Sequence, residues 1–175
     1  ILLDKKTSEL IAAGEVVESP ASVVKELLEN SVDAMATSIT VEIKNGGKAL
    51  IRVTDNGAGM SEKDAKTAFM RHATSKIRSA DDLNNILTMG FRGEALAAIC
   101  AVSKVSLFTK EKDAEPGVRM TLEGGKITSF EQAGCPDGTT IVIKDLFFNT
   151  PARMKFLKRD STEAALISSI CDKIA

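Results

Sequence analysis

Four short polar clusters in this chain combine residue types that can bind a charged, planar ligand, and they follow one another in order. Glu26 and Asn30 stand about one helical turn apart, a carboxylate that can take a proton from water and an amide oxygen that can meet a hard cation. Asp55 precedes Gly57 and Gly59. An ionised carboxylate only accepts hydrogen bonds, and glycine lets backbone approach a flat ring and adopt positive φ. Gly90-Phe91-Arg92-Gly93 feeds Glu94-Ala95-Leu96, a glycine-rich loop entering a helix whose first amides suit phosphate oxygens. Gly138-Thr139 completes the set. A base, a metal ligand, an acceptor for the amine of adenine and a phosphate cradle together describe a site for ATP and Mg²⁺. No cluster alone specifies a nucleotide; the ordered set does.

Each cluster also has a plainer reading. At about 100° per residue, Glu26, Asn30 and Asp33 fall within roughly 60° of one another beside an apolar stripe. Glu29 falls nearer Lys25, where an i, i+4 ion pair on the outer face is expected. Glu26 is therefore the candidate base and Glu29 surface charge, although a lone helical glutamate is ordinarily just solvated. Asp55-Asn56-Gly57 is also a common turn signal, and Gly59 is the residue a turn does not need. Arg71 to Lys76 reads equally as a solvated helix end or as hydroxyls and a cation, Thr74, Ser75 and Lys76, offered to phosphates. His72 has no second ligand cluster and reads as structural. Gly47-Lys48 and Gly125-Lys126 lack the spacing of a P-loop, and Gly57-Ala58-Gly59 meets Glu62 where a dinucleotide fingerprint needs glycine.

The elements that must position these residues follow from periodicity and punctuation. Ser19 and Pro20 open a helix to about Asp33, with Val24, Leu27, Leu28 and Ser31 in the i, i+3, i+4, i+7 register. Ile39–Ile43 and Ala49–Thr54 read as a hairpin around Asn45-Gly46-Gly47. Ser61 and Asp64 cap a helix over about Glu62–His72; further helices are expected over Asp81–Leu87, from Gly93 through Ala101, and over Thr162–Ile174. Strands are expected at Val105–Thr109, Val118–Leu122, Ile127–Phe130 and Thr139–Ile143. Hairpin-linked strands interleaved with helices predict an α+β, two-layer sandwich, a mostly antiparallel mixed sheet covered on one face by helices.

The 175 residues fit one domain with a real core. A net charge of −1 gives no electrostatic footprint for nucleic acid or anionic membrane, and no apolar run reaches membrane-span length. No signal peptide shows at the start, and the absence of an initiating Met suggests a trimmed or partly disordered start. Cys100, Cys135 and Cys171 are odd in number and widely spaced, so they read as reduced thiols of a cytosolic-type compartment.

Beyond these readings, Glu26–Ala34, Asp55–Gly59 and Gly138-Thr139-Thr140 resemble the motifs of the GHKL ATPase superfamily. Ile11–Val17, Gly90–Leu96 and Asn149-Thr150-Pro151-Ala152-Arg153 resemble, within it, the bacterial MutL family of DNA mismatch repair. The resemblance covers almost the whole chain and implies the Bergerat-type ATPase fold of that superfamily over residues 1–175. It implies Glu26 as the base orienting water, Asn30 on Mg²⁺, and Asp55, Gly59 and Thr139 at adenine. Thr74, Ser75 and Lys76, with Arg92, Gly93, Glu94, Ala95 and Leu96 as a lid, would handle phosphates. A second domain supplying a lysine, entered from about residue 149 onward, and a dimerisation region would follow beyond this chain. ATP hydrolysis would be slow and would drive a nucleotide-dependent dimer of the N-terminal domains. DNA and other repair proteins are partners by resemblance only, no membrane is involved, and the location is cytoplasmic, or nuclear for a eukaryotic source. A histidine-kinase catalytic domain or a topoisomerase subunit shares the fold; a nucleotide sensor without useful hydrolysis is the rival of another class.

Overall fold

Ser19 begins the first predicted helix with a reciprocal cap: its Oγ accepts the Ser22 amide at 3.3 Å while Ser22 Oγ accepts the Ser19 amide at 3.0 Å. The computed structural model describes residues 4–70 and 92–175. In chain order its elements are α1 (Lys5–Val16), α2 (Pro20–Asp33), β1 (Ile39–Lys44), β2 (Leu50–Asp55), α3 (Glu62–Ala68), α4 (Arg92–Ala101), β3 (Lys104–Lys110), β4 (Gly117–Glu123), β5 (Lys126–Ala133), β6 (Gly138–Lys144), α5 (Pro151–Lys155) and α6 (Asp160–Ile174). A 3₁₀ turn over Asn45–Gly47 joins β1 to β2.

The strands form one sheet in the order β1-β2-β6-β3-β4-β5, and every pairing among the described residues is antiparallel rather than mixed. Alternation sets its two faces. Ile51, Val53, Leu107, Met120, Ile141 and Ile143 point to the core, where they meet Val23, Val24, Leu27 and Leu28 of α2 and Ile99 of α4. The other face carries exposed charge, with Arg52–Glu42 and Arg119–Glu131 paired across neighbouring strands at 3.4 and 2.8 Å. Helices thus cover one face, and the α+β two-layer sandwich expected of the sequence is what forms.

Two elements lie outside the sequence reading. α1 has a low-contrast pattern, but Asp4 caps it by accepting the Thr7 amide at 2.6 Å, and it packs on α4. The five-residue α5 starts at Pro151. α3 runs to Ala68, with the buried Phe69 as its C-cap residue, and His72, where the expected helix ended, lies outside the described residues. The helix expected over Asp81–Leu87 lies outside the described residues. α6 packs against α2 and the 3₁₀ turn, tied by Lys48, whose ammonium meets Asp160 at 2.8 Å and the Lys158 carbonyl at 2.5 Å.

Candidate functional site

β2 ends at Asp55, the register partner of Thr139 near the start of β6, and Ser31 of α2 bonds to the same Asp55; a cleft of about 170 Å³ opens between these elements. Leu27, Val53, Met60, Leu96 and Ile141 give it apolar walls. Asn30, Ser31, Asp55 and Thr139 give it a few polar groups, the composition of a site that orients a mostly apolar ring.

Asp55 is held from three sides. Its Oδ1 accepts the Gly57 amide at 2.9 Å and the Thr139 amide at 3.3 Å, and its Oδ2 accepts the hydroxyl of buried Ser31 at 2.7 Å. Three donors fix the carboxylate's plane and still leave a lone-pair direction for a ligand donor. The following loop is pinned as firmly. Asn56 Oδ1 accepts the amides of Thr37 and Ser38 at 2.8 and 3.0 Å, and the Ala58 amide donates to Ala34 at the end of α2 at 2.9 Å. Gly59 has φ +69°, and a Cβ there would collide with the Lys110 carbonyl; Gly138 has φ +105°, and a Cβ there would collide with the Asp55 carbonyl. Both glycines are needed for close approach of the segments that frame the cleft.

Of the residues singled out from sequence, Asn30, Asp55, Gly59, Leu96 and Thr139 come together as cleft lining. Glu26 lies one turn before Asn30 on α2, half-buried, and does not line the cleft. Glu29 is half-buried as well, and the Lys25–Glu29 ion pair expected of an outer face is not formed: the ion pairs of the described residues join other partners. Neither burial nor cleft lining separates the two glutamates. Arg92 and Gly93 begin α4, Glu94 follows in its first turn, and the buried Ala95 side chain leaves only backbone to a ligand. Thr74, Ser75 and Lys76, with Gly90 and Phe91, lie outside the described residues. Two participants escaped the sequence reading, Ser31 and, behind the wall, Thr109. Each is a hydroxyl in a phase otherwise occupied by apolar residues, and that was the available signal.

Asn30 is the group that suits a magnesium ion. It brings a side-chain amide oxygen, a hard donor, to the cleft, and among the described residues no three His, Cys, Asp or Glu gather into a cluster. Among the described residues no helix is long and apolar enough to cross a membrane.

Residues 17–134 match the family model described as histidine kinase-, DNA gyrase B- and HSP90-like ATPase. The chain is 61% identical over 173 residues to the DNA mismatch repair protein MutL of Caldanaerobacter subterraneus subsp. tengcongensis, covering 99% of this chain and 29% of that protein. It is 56% identical to the MutL of Symbiobacterium thermophilum, covering 99% of this chain and 27% of that protein. Among solved structures it is similar to the Aquifex aeolicus MutL ATPase domain complexed with ADP, with TM-score 0.67 and 36% identity over 89% of this chain and 54% of that one. The N-terminal domain of a DNA repair protein superposes with TM-score 0.77 and 30% identity, covering 99% of this chain and 50% of that one. With a family model matched over more than half its length, and bacterial MutL relatives aligned along nearly all of it, the chain belongs to the histidine kinase-, DNA gyrase B- and HSP90-like ATPases as a MutL-type member.

Proposed function

We propose that the chain binds ATP with Mg²⁺ and hydrolyses it slowly, and that in the longer protein this cycle drives a conformational and dimerisation switch in DNA mismatch repair. The carrying observation is the Asp55 carboxylate, fixed by Ser31, Gly57 and Thr139 on the wall of an apolar cleft. Adenine enters that cleft with its amine toward Asp55. Asn30 takes the magnesium ion, which when bound neutralises phosphate charge. The amides at the start of α4, from Arg92 to Leu96, face phosphates with the positive end of the helix dipole. Thr74, Ser75 and Lys76 contribute hydroxyls and a cation to the same phosphates. Glu26 orients and deprotonates the attacking water. Catalysis of this kind is positioning plus electrostatic stabilisation. The relatives' names supply the repair setting, and the chain corresponds to less than a third of their lengths.

Binding and chemistry separate by substitution. Glu26→Ala is expected to keep ATP affinity, measured by calorimetry, while phosphate release falls by about 10²–10⁴-fold. Glu29→Ala is expected to change neither. A dead Glu29→Ala beside an active Glu26→Ala would reverse the helix-face assignment.

A further inference from the structure

Thr109 stands one layer behind the cleft wall, fully buried near the end of β3. Its Oγ1 meets the Met60 amide at 2.9 Å, the Gly138 carbonyl at 3.2 Å and the Thr139 hydroxyl at 2.9 Å. A hydroxyl has one proton and two lone pairs. The amide can only donate and the carbonyl can only accept. Thr109 therefore accepts from Met60 and donates to Gly138, and its remaining lone pair can be filled only by the proton of Thr139. That arrangement satisfies all three contacts at once; turning the Thr109 proton toward Thr139 would forfeit the bond to Gly138. The Thr139 hydroxyl thus points its proton inward and shows the cleft lone pairs alone. Beside it, Asp55 is an acceptor for the same reason of chemistry.

We propose that Thr109 is a positioning residue for base selection: by holding the Thr139 proton, it makes the Asp55–Thr139 edge of the cleft acceptor-only. Such an edge receives the amine of adenine and opposes the carbonyl oxygen of guanine. The same hydroxyl ties the Gly57–Met60 loop to the start of β6, so it also sets the spacing of that edge. The proposal rests on the reading of the cleft as a purine nucleotide site.

The test is calorimetric titration of Mg-ATP and Mg-GTP into the chain and its Thr109 variants. Thr109→Val keeps the branched shape and frees the Thr139 proton to face the cleft. It is expected to cut the ATP-over-GTP affinity ratio by about fivefold or more, partly by raising GTP affinity, while Thr109→Ser keeps the wild-type ratio. Should Thr109→Val fail to fold, Thr109→Cys serves, since a thiol is a poor acceptor for the Thr139 proton and should narrow the ratio likewise. Equal weakening of both nucleotides with the ratio intact would overturn the proposal and leave Thr109 a structural clamp. A wild-type chain that binds neither nucleotide would overturn the purine reading itself.

Discussion

Replacing Ser31 with alanine removes a single proton donor from the wall of the cleft. Ser31 is 2% exposed and its hydroxyl lies 2.7 Å from Asp55 Oδ2, so water has little access to replace it. A hydrogen bond to a charged group contributes about 1.5–3 kcal/mol net. Asp55 keeps the Gly57 and Thr139 amides on its other oxygen, which places the loss within that range rather than beyond it. For a chain of this size each kcal/mol moves the melting temperature by about 2–4 °C, so Ser31→Ala is expected to melt about 3–12 °C lower. Urea unfolding of the wild type, Ser31→Ala, Asp55→Asn and the double variant isolates the pair. The coupling energy is expected to be at least about 1 kcal/mol, as for residues in one hydrogen-bonded network. Single effects that add to within about 0.5 kcal/mol would refute the reasoning, because the hydroxyl and the carboxylate would then act independently.

Met35, at the end of α2, sits at φ 61° with 83% of its surface exposed. The left-handed region costs a non-glycine residue about 1–2 kcal/mol, and glycine's extra unfolded-state freedom offsets about 0.5–1 of that. Met35→Gly is therefore expected to raise the melting temperature, by up to about 6 °C; a lower one would show that the exposed side chain makes a stabilising contact. The Asp160 carboxyl is held below its usual value, first by the hydrogen bond from Lys48 and then by that from Asn45. A depressed folded-state value means that this stabilisation is present above the unfolded value of 3.8 and is lost as pH falls through the folded one. Unfolding titrations should show the wild type ahead of Asp160→Asn at neutral pH and the two curves converging in acid. Parallel curves would sink this linkage.

Much of the fold was legible because local signals agreed. Ser19-Pro20 marked the start of α2, alternation and β-forming residues marked the six strands, and Asn45-Gly46-Gly47 marked the connection of β1 to β2. α1 was not legible because its cap, Asp4, precedes a sequence with little amphipathic contrast, and packing on α4 is what makes use of it. At the site, Asp55 and Thr139 were readable as residue types, but their juxtaposition comes from the β2–β6 register, pairing positions far apart in sequence. Ser31 and Thr109 looked like minor interruptions of apolar phases. Their meaning appears only once a carboxylate lies within reach of one and three backbone or hydroxyl partners surround the other. The Lys25–Glu29 pair failed for a related reason: helical spacing permits an ion pair without requiring two flexible side chains to meet.

The central claim is that Asp55 reads adenine in the cleft between α2, β2 and β6. Its most direct test is calorimetric titration of Mg-ATP and Mg-GTP into the wild-type chain and into Asp55→Ala. An acceptor-only carboxylate predicts ATP binding at least about tenfold tighter than GTP, a difference near 1.4 kcal/mol, and loss of both in Asp55→Ala. Equal affinities for the two nucleotides, or undiminished ATP binding without the carboxylate, would contradict it.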